Sequence, residues 1–171
     1  MSTAYLVEPL SAAKHRRNEF TCESVELTEF LRTRARKEME ARASACFVLV
    51  LADDPGRIAG YYTLSAAEVV TAELPEAMTR KLPRYHSLPA TLLGRLARDL
   101  AFRGQGIGEL LLMHALSTVA EVTERMATTA VVVDAKDEAA KAFYMKYEFV
   151  PFPLNPMRLY LSTKTIRRLI G

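Results

Sequence analysis

Between residues 95 and 116 the chain reads RLARDLAFRGQGIGELLLMHAL. An extended apolar segment runs into Gly104, Gly106 and Gly108 and then into a helical repeat. Few arrangements accommodate such a segment. A strand that ends in RGQGIG and opens a helix leaves unpaired backbone N–H groups at the helix N-terminus, where the positive end of the helix dipole adds to them. Glycines, lacking Cβ, let the chain turn sharply and let a ligand approach the backbone. The pattern predicts a strand–turn–helix unit whose turn is either an anion site suited to phosphate or a glycine turn without a ligand. It is not a Walker loop, because no Gly-Lys-Ser/Thr closes it. Nor does it suit a dinucleotide fold: the spacing is Gly-x-Gly-x-Gly, and the loop follows a hairpin in mid-chain.

The flanking sequence predicts an α/β domain with a mixed sheet. CESVELTEFLRTRARKEMEARA (22–43) reads as a helix, with Ser24 as N-cap and Leu27, Phe30, Leu31 and Ala35 as an apolar stripe opposite a basic face. CFVLVLA (46–52), the turn residues DDPG and RIAGYYTLS read as a hairpin. Residues 66–90 carry Pro75, Pro83 and Pro89 and predict a long connection with one short helix near PEAMTRKL. Connections of that length usually hold function or a partner surface. TLLGRLARDLA (91–101) is the next strand, and a helix runs from Gly108 to about Met126 with Ile107, Leu111, His114, Ala115, Thr118 and Val122 on one face. His114 in that stripe reads as a packed, hydrogen-bonded histidine rather than a catalytic one. TTAVVVDA (128–135) predicts a strand buried on both faces, KDEAAKAFYMKYEF a helix capped by Asp137, and VPFPLNPMRLYLS a final strand pair. With no internal repeat and no low-complexity linker, residues 1–171 parse as one domain.

Composition narrows the class. Half the residues are apolar and a quarter charged, which suits a soluble globular protein with a real core. No apolar run reaches bilayer length, and MSTAYLVEPLSAAKHRRN lacks a signal pattern, so a cytoplasmic protein is expected. Cys22 and Cys46 lie far apart without metal-ligand spacing, which argues against a disulfide framework or a metal site. The net charge of +3 is unevenly placed. Lys14, Arg16 and Arg17 form one cluster, Arg32 to Arg42 a second, Arg80, Lys81 and Arg84 a third, and Arg167 and Arg168 a fourth. Such clusters are either solvated helix faces or the footprint of a polyanion such as RNA.

Arg103, Gly106 and Gly108 together satisfy Arg/Gln-x-x-Gly-x-Gly/Ala. This resembles the acyl-coenzyme A pyrophosphate loop of the GNAT N-acetyltransferase superfamily, with LLGRLARD where that family's fourth strand stands. FTCESVELTEFLRTRA, IAGYYTLS, LLGRLARDLAFRGQGIGELLL, VVDAKDEAAKAFY and YLSTKTI together look like the GNAT toxins of bacterial toxin–antitoxin pairs. The resemblance implies a GNAT fold: a mixed, mostly antiparallel central sheet flanked by helices, with a splayed strand pair at the acetyl-CoA site. It implies acetyl-CoA as co-substrate and the amino group of the amino acid on charged tRNA as acceptor, so that translation stops. A ribbon-helix-helix antitoxin and a homodimer are the partners it implies.

Carried over by position, Arg103, Gly104, Gln105, Gly106, Ile107 and Gly108 would hold the pyrophosphate. Leu96, Ala97 and Arg98 would pair with the pantetheine arm, and a backbone N–H of that strand would polarise the thioester carbonyl. Tyr144 matches the family's general acid; a phenol of pKa about 10 is protonated at neutral pH and can donate to the leaving thiolate. Without the resemblance, Tyr144 is one core aromatic beside Phe143, Tyr147 and Phe149. An α-amino group has a pKa near 8, so a strong general base is not obligatory. Glu26, Glu29, Asp99 and Asp134 are available, and none is assigned. Arg32, Arg36, Lys37 and Arg84 are the expected tRNA contacts, with Arg95 facing either the cofactor or the acceptor end. One position departs from the family pattern. In YEF, Glu148 stands where glycine normally supplies a left-handed cap, implying a different helix end or strain. The competing readings are a GNAT acting on a small amine or protein, a non-catalytic acyl-CoA-binding module, and a plain RNA-binding protein.

Overall fold

A computed structural model describes residues 3–170. In chain order it contains strand β1 (Tyr5–Pro9), helix α1 (Val25–Glu29), a π-helical turn (Phe30–Arg34), helix α2 (Ala35–Glu40), and strands β2 (Ala45–Leu51) and β3 (Asp54–Val70). Helix α3 (Glu76–Thr79), strand β4 (Ser87–Arg98), helix α4 (Ile107–Val122), strand β5 (Ala130–Asp134) and helix α5 (Glu138–Lys146) follow. Strands β6 (Val150–Phe152) and β7 (Asn155–Ser162) and helix α6 (Thr163–Ile170) complete it. The seven strands have the order β1-β2-β3-β4-β5-β7-β6. Pairs β1/β2, β2/β3, β5/β7 and β6/β7 are antiparallel, whereas β4 and β5 run parallel. This is the mixed, mostly antiparallel sheet with helices that the resemblance implied.

The chain forms two compact units: Met1–Ser65 with Gly94–Ala115, and Ala66–Leu93 with Leu116–Gly171. In the first, α1 begins where the Ser24 hydroxyl accepts the Leu27 N–H at 3.2 Å, as the sequence led one to expect. Phe30, Leu31 and Ala35 then bury against Val48 and Val50 of β2 and Ile58 and Tyr61 of β3. Full burial of a side chain such as Leu31 contributes roughly 1.5–3 kcal/mol. The helical stretch is not a uniform α-helix. At the π-turn the Ala35 N–H bonds the Phe30 carbonyl five residues back. Gly60 is required by close approach: a Cβ there would stand 2.8 Å from Leu111 Cδ1 and 2.9 Å from the Ala97 carbonyl oxygen.

The second unit gathers Val69, Leu74, Ala90, Ala130, Val132, Phe152 and Tyr160 into its core. Asp137 caps α5 by accepting the Ala140 N–H at 2.8 Å. Two elements go beyond the sequence reading. β1 pairs with β2, Tyr5 opposite Leu51, and α6 is capped by Ser162, whose Oγ accepts the Thr165 N–H at 3.2 Å. The 66–90 connection is also shorter than expected. β3 continues to Val70 and β4 starts at Ser87, with the Pro89 carbonyl accepting the Thr129 N–H at 2.8 Å. Helix α4 starts at Ile107, one residue before Gly108, and ends at Val122 rather than Met126.

Candidate active site

The glycine turn takes the backbone conformation its composition demands. Gly104 has φ +74° and Gly106 φ +71°, the left-handed region that side chains disfavour. A Cβ at either position would project into open space, so a ligand can reach this backbone from outside. Gly108 lies within α4, and the Gly106 carbonyl accepts the Leu110 N–H at 3.1 Å, which leaves the preceding amides at the helix N-terminus as donors. The residues present therefore fit a phosphate. Ile107 is buried under the turn, whereas Arg103 and Gln105 are exposed. The Tyr5 hydroxyl donates to Gln105 Oε1 at 2.6 Å, fastening the loop to β1.

Ahead of the loop stands a buried carboxylate. Asp99 is 3 % exposed. Its Oδ2 accepts the Thr21 N–H at 3.0 Å, its Oδ1 the Ala101 N–H at 2.8 Å, and Arg57 donates to both oxygens at 3.3 Å. The Asp99 N–H in turn donates to the Ala59 carbonyl at 2.8 Å. These bonds hold the chain entering the glycine turn and occupy the lone pairs a general base would use. Glu23, which nothing in the sequence marked, bridges Arg98 and Arg103. Partial burial works against its ionisation, but its own backbone amide and the guanidinium groups of Arg98 and Arg103 hold its carboxyl below the usual range. Leu96, Ala97 and Arg98 form the end of β4. The β4–β5 pairing consists of Thr91 with Val131 and Leu92 with Val132, and Leu93 to Arg98 extend β4 beyond it.

In the second unit Tyr144 sits in α5, 8 % exposed, with ring centroids 5.3 Å from Phe143 and from Phe149. Burial alone pushes its phenol above the ordinary value, so the hydroxyl keeps its proton throughout the neutral range. The helix ends as a glycine would end it. Glu148 takes φ +70°, the Glu148 N–H reaches the Met145 carbonyl at 3.1 Å and the Phe149 N–H the Tyr144 carbonyl at 3.3 Å. Arg168 holds the Glu148 carboxylate at 2.9 Å. Of the two outcomes foreseen for this position, the structure has the strained backbone, with the glycine-type helix end kept.

The basic residues are placed unequally. Arg32 turns inward and donates to the Phe20 carbonyl at 2.8 and 3.1 Å. Arg36 pairs with Glu40 at 3.0 Å on the exposed helix surface, beside Arg34 and Glu38 at 2.9 Å. Lys37 is exposed. Arg84 lines a concavity with Thr71, Glu76, Arg80, Tyr85 and His86. Arg95 lies over the Phe30 ring, its guanidinium carbon 3.5 Å from the centroid. His114 is bonded as expected, 2.7 Å from the Tyr62 hydroxyl. Among the described residues no helix is long and apolar enough to cross a membrane, and no cluster of His, Cys, Asp or Glu could hold a metal ion.

β4 and β5 pair in parallel over two positions only, and a glycine turn opens the helix that follows β4. The Acetyltransferase (GNAT) domain family matches residues 44–151, and the chain belongs to the GNAT acetyltransferase family. It is 30% identical over 173 residues to the "Probable toxin TacT" of Sinorhizobium fredii (strain NBRC 101917 / NGR234), covering 97% of this chain and 95% of that one. It is 34% identical over 145 residues to the "tRNA-acetylating toxin" of Mycobacterium tuberculosis (strain ATCC 25618 / H37Rv), covering 85% and 84%. The solved structure of AtaT complexed with acetyl-methionyl-tRNAfMet is similar with a TM-score of 0.90 at 29% identity, covering 98% of this chain and 100% of that one. A mutant AtaT bound to the C-terminus of the antitoxin AtaR and acetyl-CoA is similar with a TM-score of 0.83 at 25% identity, covering 98% of both chains.

Proposed function

We propose that residues 1–171 form a single toxin-type acetyltransferase domain. It transfers the acetyl group of acetyl-CoA to the primary amine of the amino acid on charged tRNA and so blocks translation. The observation that carries this reading is the whole-chain likeness to AtaT caught with acetyl-methionyl-tRNAfMet. Acetyl-CoA supplies the activated thioester when bound. The amides of Gly104 to Gly108, the α4 N-terminus and Arg103 hold its pyrophosphate, and the free backbone of Leu96 to Arg98 aligns its arm. The α-amino group has a pKa near 8 that the neighbouring ester lowers further, so a substantial share is neutral at cellular pH and attacks the carbonyl without a strong base. Tyr144 holds a proton at its hydroxyl and gives it to the departing thiolate as the C–S bond breaks, and the proton shed by the acylated nitrogen restores the phenol through solvent.

Arg36, Lys37 and Arg84 supply exposed charge for the tRNA backbone, whereas Arg32 supports the Phe20 and Thr21 segment on which the loop's anchor, Asp99, rests. An antitoxin of the ribbon-helix-helix type, a homodimer and a cytoplasmic location complete the reading. It is tested by acetyl transfer from labelled acetyl-CoA to a pool of charged tRNA, with deacylated tRNA as control. Label on the aminoacyl-tRNA alone supports it. Label on small amines or proteins, with none on tRNA, replaces it by a metabolic or protein acetyltransferase.

A further inference from the structure

Five half-buried arginines have an acceptor within the chain: Arg17 and Arg32 a carbonyl oxygen, Arg57, Arg98 and Arg158 a carboxylate. Arg95, also half-buried, has neither among the described residues; its partner is a ring. Its guanidinium carbon stands 3.5 Å from the centroid of Phe30, which is itself buried and stacked on Tyr61 at 6.2 Å. Phe30 opens the π-turn, a distortion that recurs at functional sites. Stacking occupies the face of the guanidinium and leaves its N–H donors, which lie in its plane, unused.

Among the described residues Arg95 forms no ion pair. Arg95 lies close enough to Cys46 and Tyr61 to bias both, but burial outweighs it and keeps each in its neutral form. Arg34, which shares the Phe30 ring at 5.3 Å, is a second cation and is paired with Glu38. A partly desolvated cation with no ion-pair partner of its own is a site for an anion from outside the chain.

We infer that Arg95, stacked on Phe30, binds a phosphodiester oxygen of the single-stranded 3′ end of the charged tRNA. The inference rests on the tRNA-acetylating reading above. The face of β4 decides between the two phosphate-bearing substrates. Residues two apart in a strand share a face, so Arg95 goes with Ala97, and Ala97 packs in the cluster of Phe30 and Tyr61. The neighbour of Tyr61 in β3, Gly60, instead meets Ile107 and Leu111 of α4. The glycine turn therefore feeds a helix on one face of these strands, and Arg95 points to the other. A phosphate held at the turn is not the one Arg95 meets. The 3′-phosphate of coenzyme A sits on the same adenosine end as the pyrophosphate at the turn, so the remaining anions are the acceptor's, and a planar fork of donors fits two phosphate oxygens at once.

The test uses the full chain with labelled acetyl-CoA and charged tRNA, comparing wild type with Arg95→Gln and Arg95→Lys. For Arg95→Gln, kcat/KM for charged tRNA is expected to fall about tenfold or more, as removal of a charge-assisted hydrogen bond implies, while KM for acetyl-CoA changes by less than about twofold. The slope of log kcat/KM against log salt should flatten by about 0.7, as it does when one phosphate of a single strand is no longer neutralised. Arg95→Lys should keep the slope and recover part of the rate, and it carries the test should the glutamine variant fail to fold. A rise in KM for acetyl-CoA instead overturns the inference by assigning the anion to the cofactor. Unchanged kinetics and salt slope at wild-type melting temperature overturn it by reducing Arg95 to a cover for Phe30. A wild-type protein that acetylates no charged tRNA overturns the underlying reading, and that outcome is separate because it appears before any variant is made.

Discussion

Tyr144 is placed by packing, and the proposed acid role asks chemistry of the same side chain. Its ring is held edge-on and tilted between Phe143 and Phe149, so burial sets both its position and its proton affinity. Tyr144→Phe keeps the ring and removes only the proton donor. We expect kcat to fall by a factor of about 10² or more, with acetyl-CoA affinity unchanged within about twofold by calorimetry. The melting temperature should hold or rise, because the deleted hydroxyl is desolvated by burial. Turnover within about threefold of wild type would remove Tyr144 from the acid role. Four residues on, Glu148 presents the opposite balance. Its left-handed backbone costs about 1–2 kcal/mol, while its ion pair with Arg168 is exposed on both sides and contributes well under about 1 kcal/mol. Glu148→Gly is therefore expected to stabilise the protein by roughly 0.5–1 kcal/mol, read as a higher urea midpoint at constant m-value. A lower midpoint would mean that the Arg168 pair outweighs the backbone strain.

At the scale of elements, the segment entering the glycine turn depends on Asp99. Removing its carboxylate by Asp99→Ala strands the Thr21 and Ala101 amides and leaves Arg57, which also covers the Phe102 ring, without its counterion. Breaking a buried pair in this way costs about 3–5 kcal/mol, and denaturant unfolding measures it directly. A cost below about 1 kcal/mol would show that the turn is organised by its glycines alone. What could be read from the chain at this scale follows from the range of the forces involved. Ser24 and Asp137 announced their helices because a cap is a bond to an amide three residues away. Gly104 and Gly106 announced the turn because a positive φ is a local demand. The stripe of Ile107, Leu111 and Ala115 was legible as buried by its period alone, whereas Val122, read onto the same face, is exposed at the helix end. By contrast, β1 is five residues long and exists through its pairing with β2, which no nearby residue signals. The Glu23 bridge joins side chains 75 and 80 positions apart, and Asp99 reaches 78 and 42 positions to Thr21 and Arg57. The basic stripe of the first helix was legible as a stripe but not as its parts, since turning Arg32 inward to the Phe20 carbonyl is a tertiary event.

For the whole molecule, the groups whose proton affinity the fold alters most lie on the alkaline side. Cys46 and Tyr61 in one unit, and Tyr144 and Tyr160 in the other, are all raised, each chiefly by burial. The Cys46 thiol moves from 9.0 to about 12. The sign is the same for each. The fold favours the neutral form, so this contribution is fully present below the unfolded value and is lost as pH rises towards the folded one. Glu8, held low by Lys14 and His15, and Glu23 act in the opposite sense. Their contributions are present above about pH 4.5 and fade as pH falls below it, and both carboxylates keep part of their surface in solvent, so that limb should be shallow. Stability should thus be flat from about pH 5 to pH 9 and decline steeply above it. Urea midpoints at pH 7, 9 and 10.5 would trace the alkaline limb, and Cys46→Ala isolates the thiol's share. The substitution lowers stability at every pH through the space it empties, so the comparison is of slopes and not of offsets. A shallower decline between pH 9 and 10.5 in Cys46→Ala assigns that part of the limb to the buried thiol. Equal slopes would leave the decline to the phenols, and Tyr144→Phe, whose phenol burial raises further than that of Tyr160, would then be the variant that flattens it.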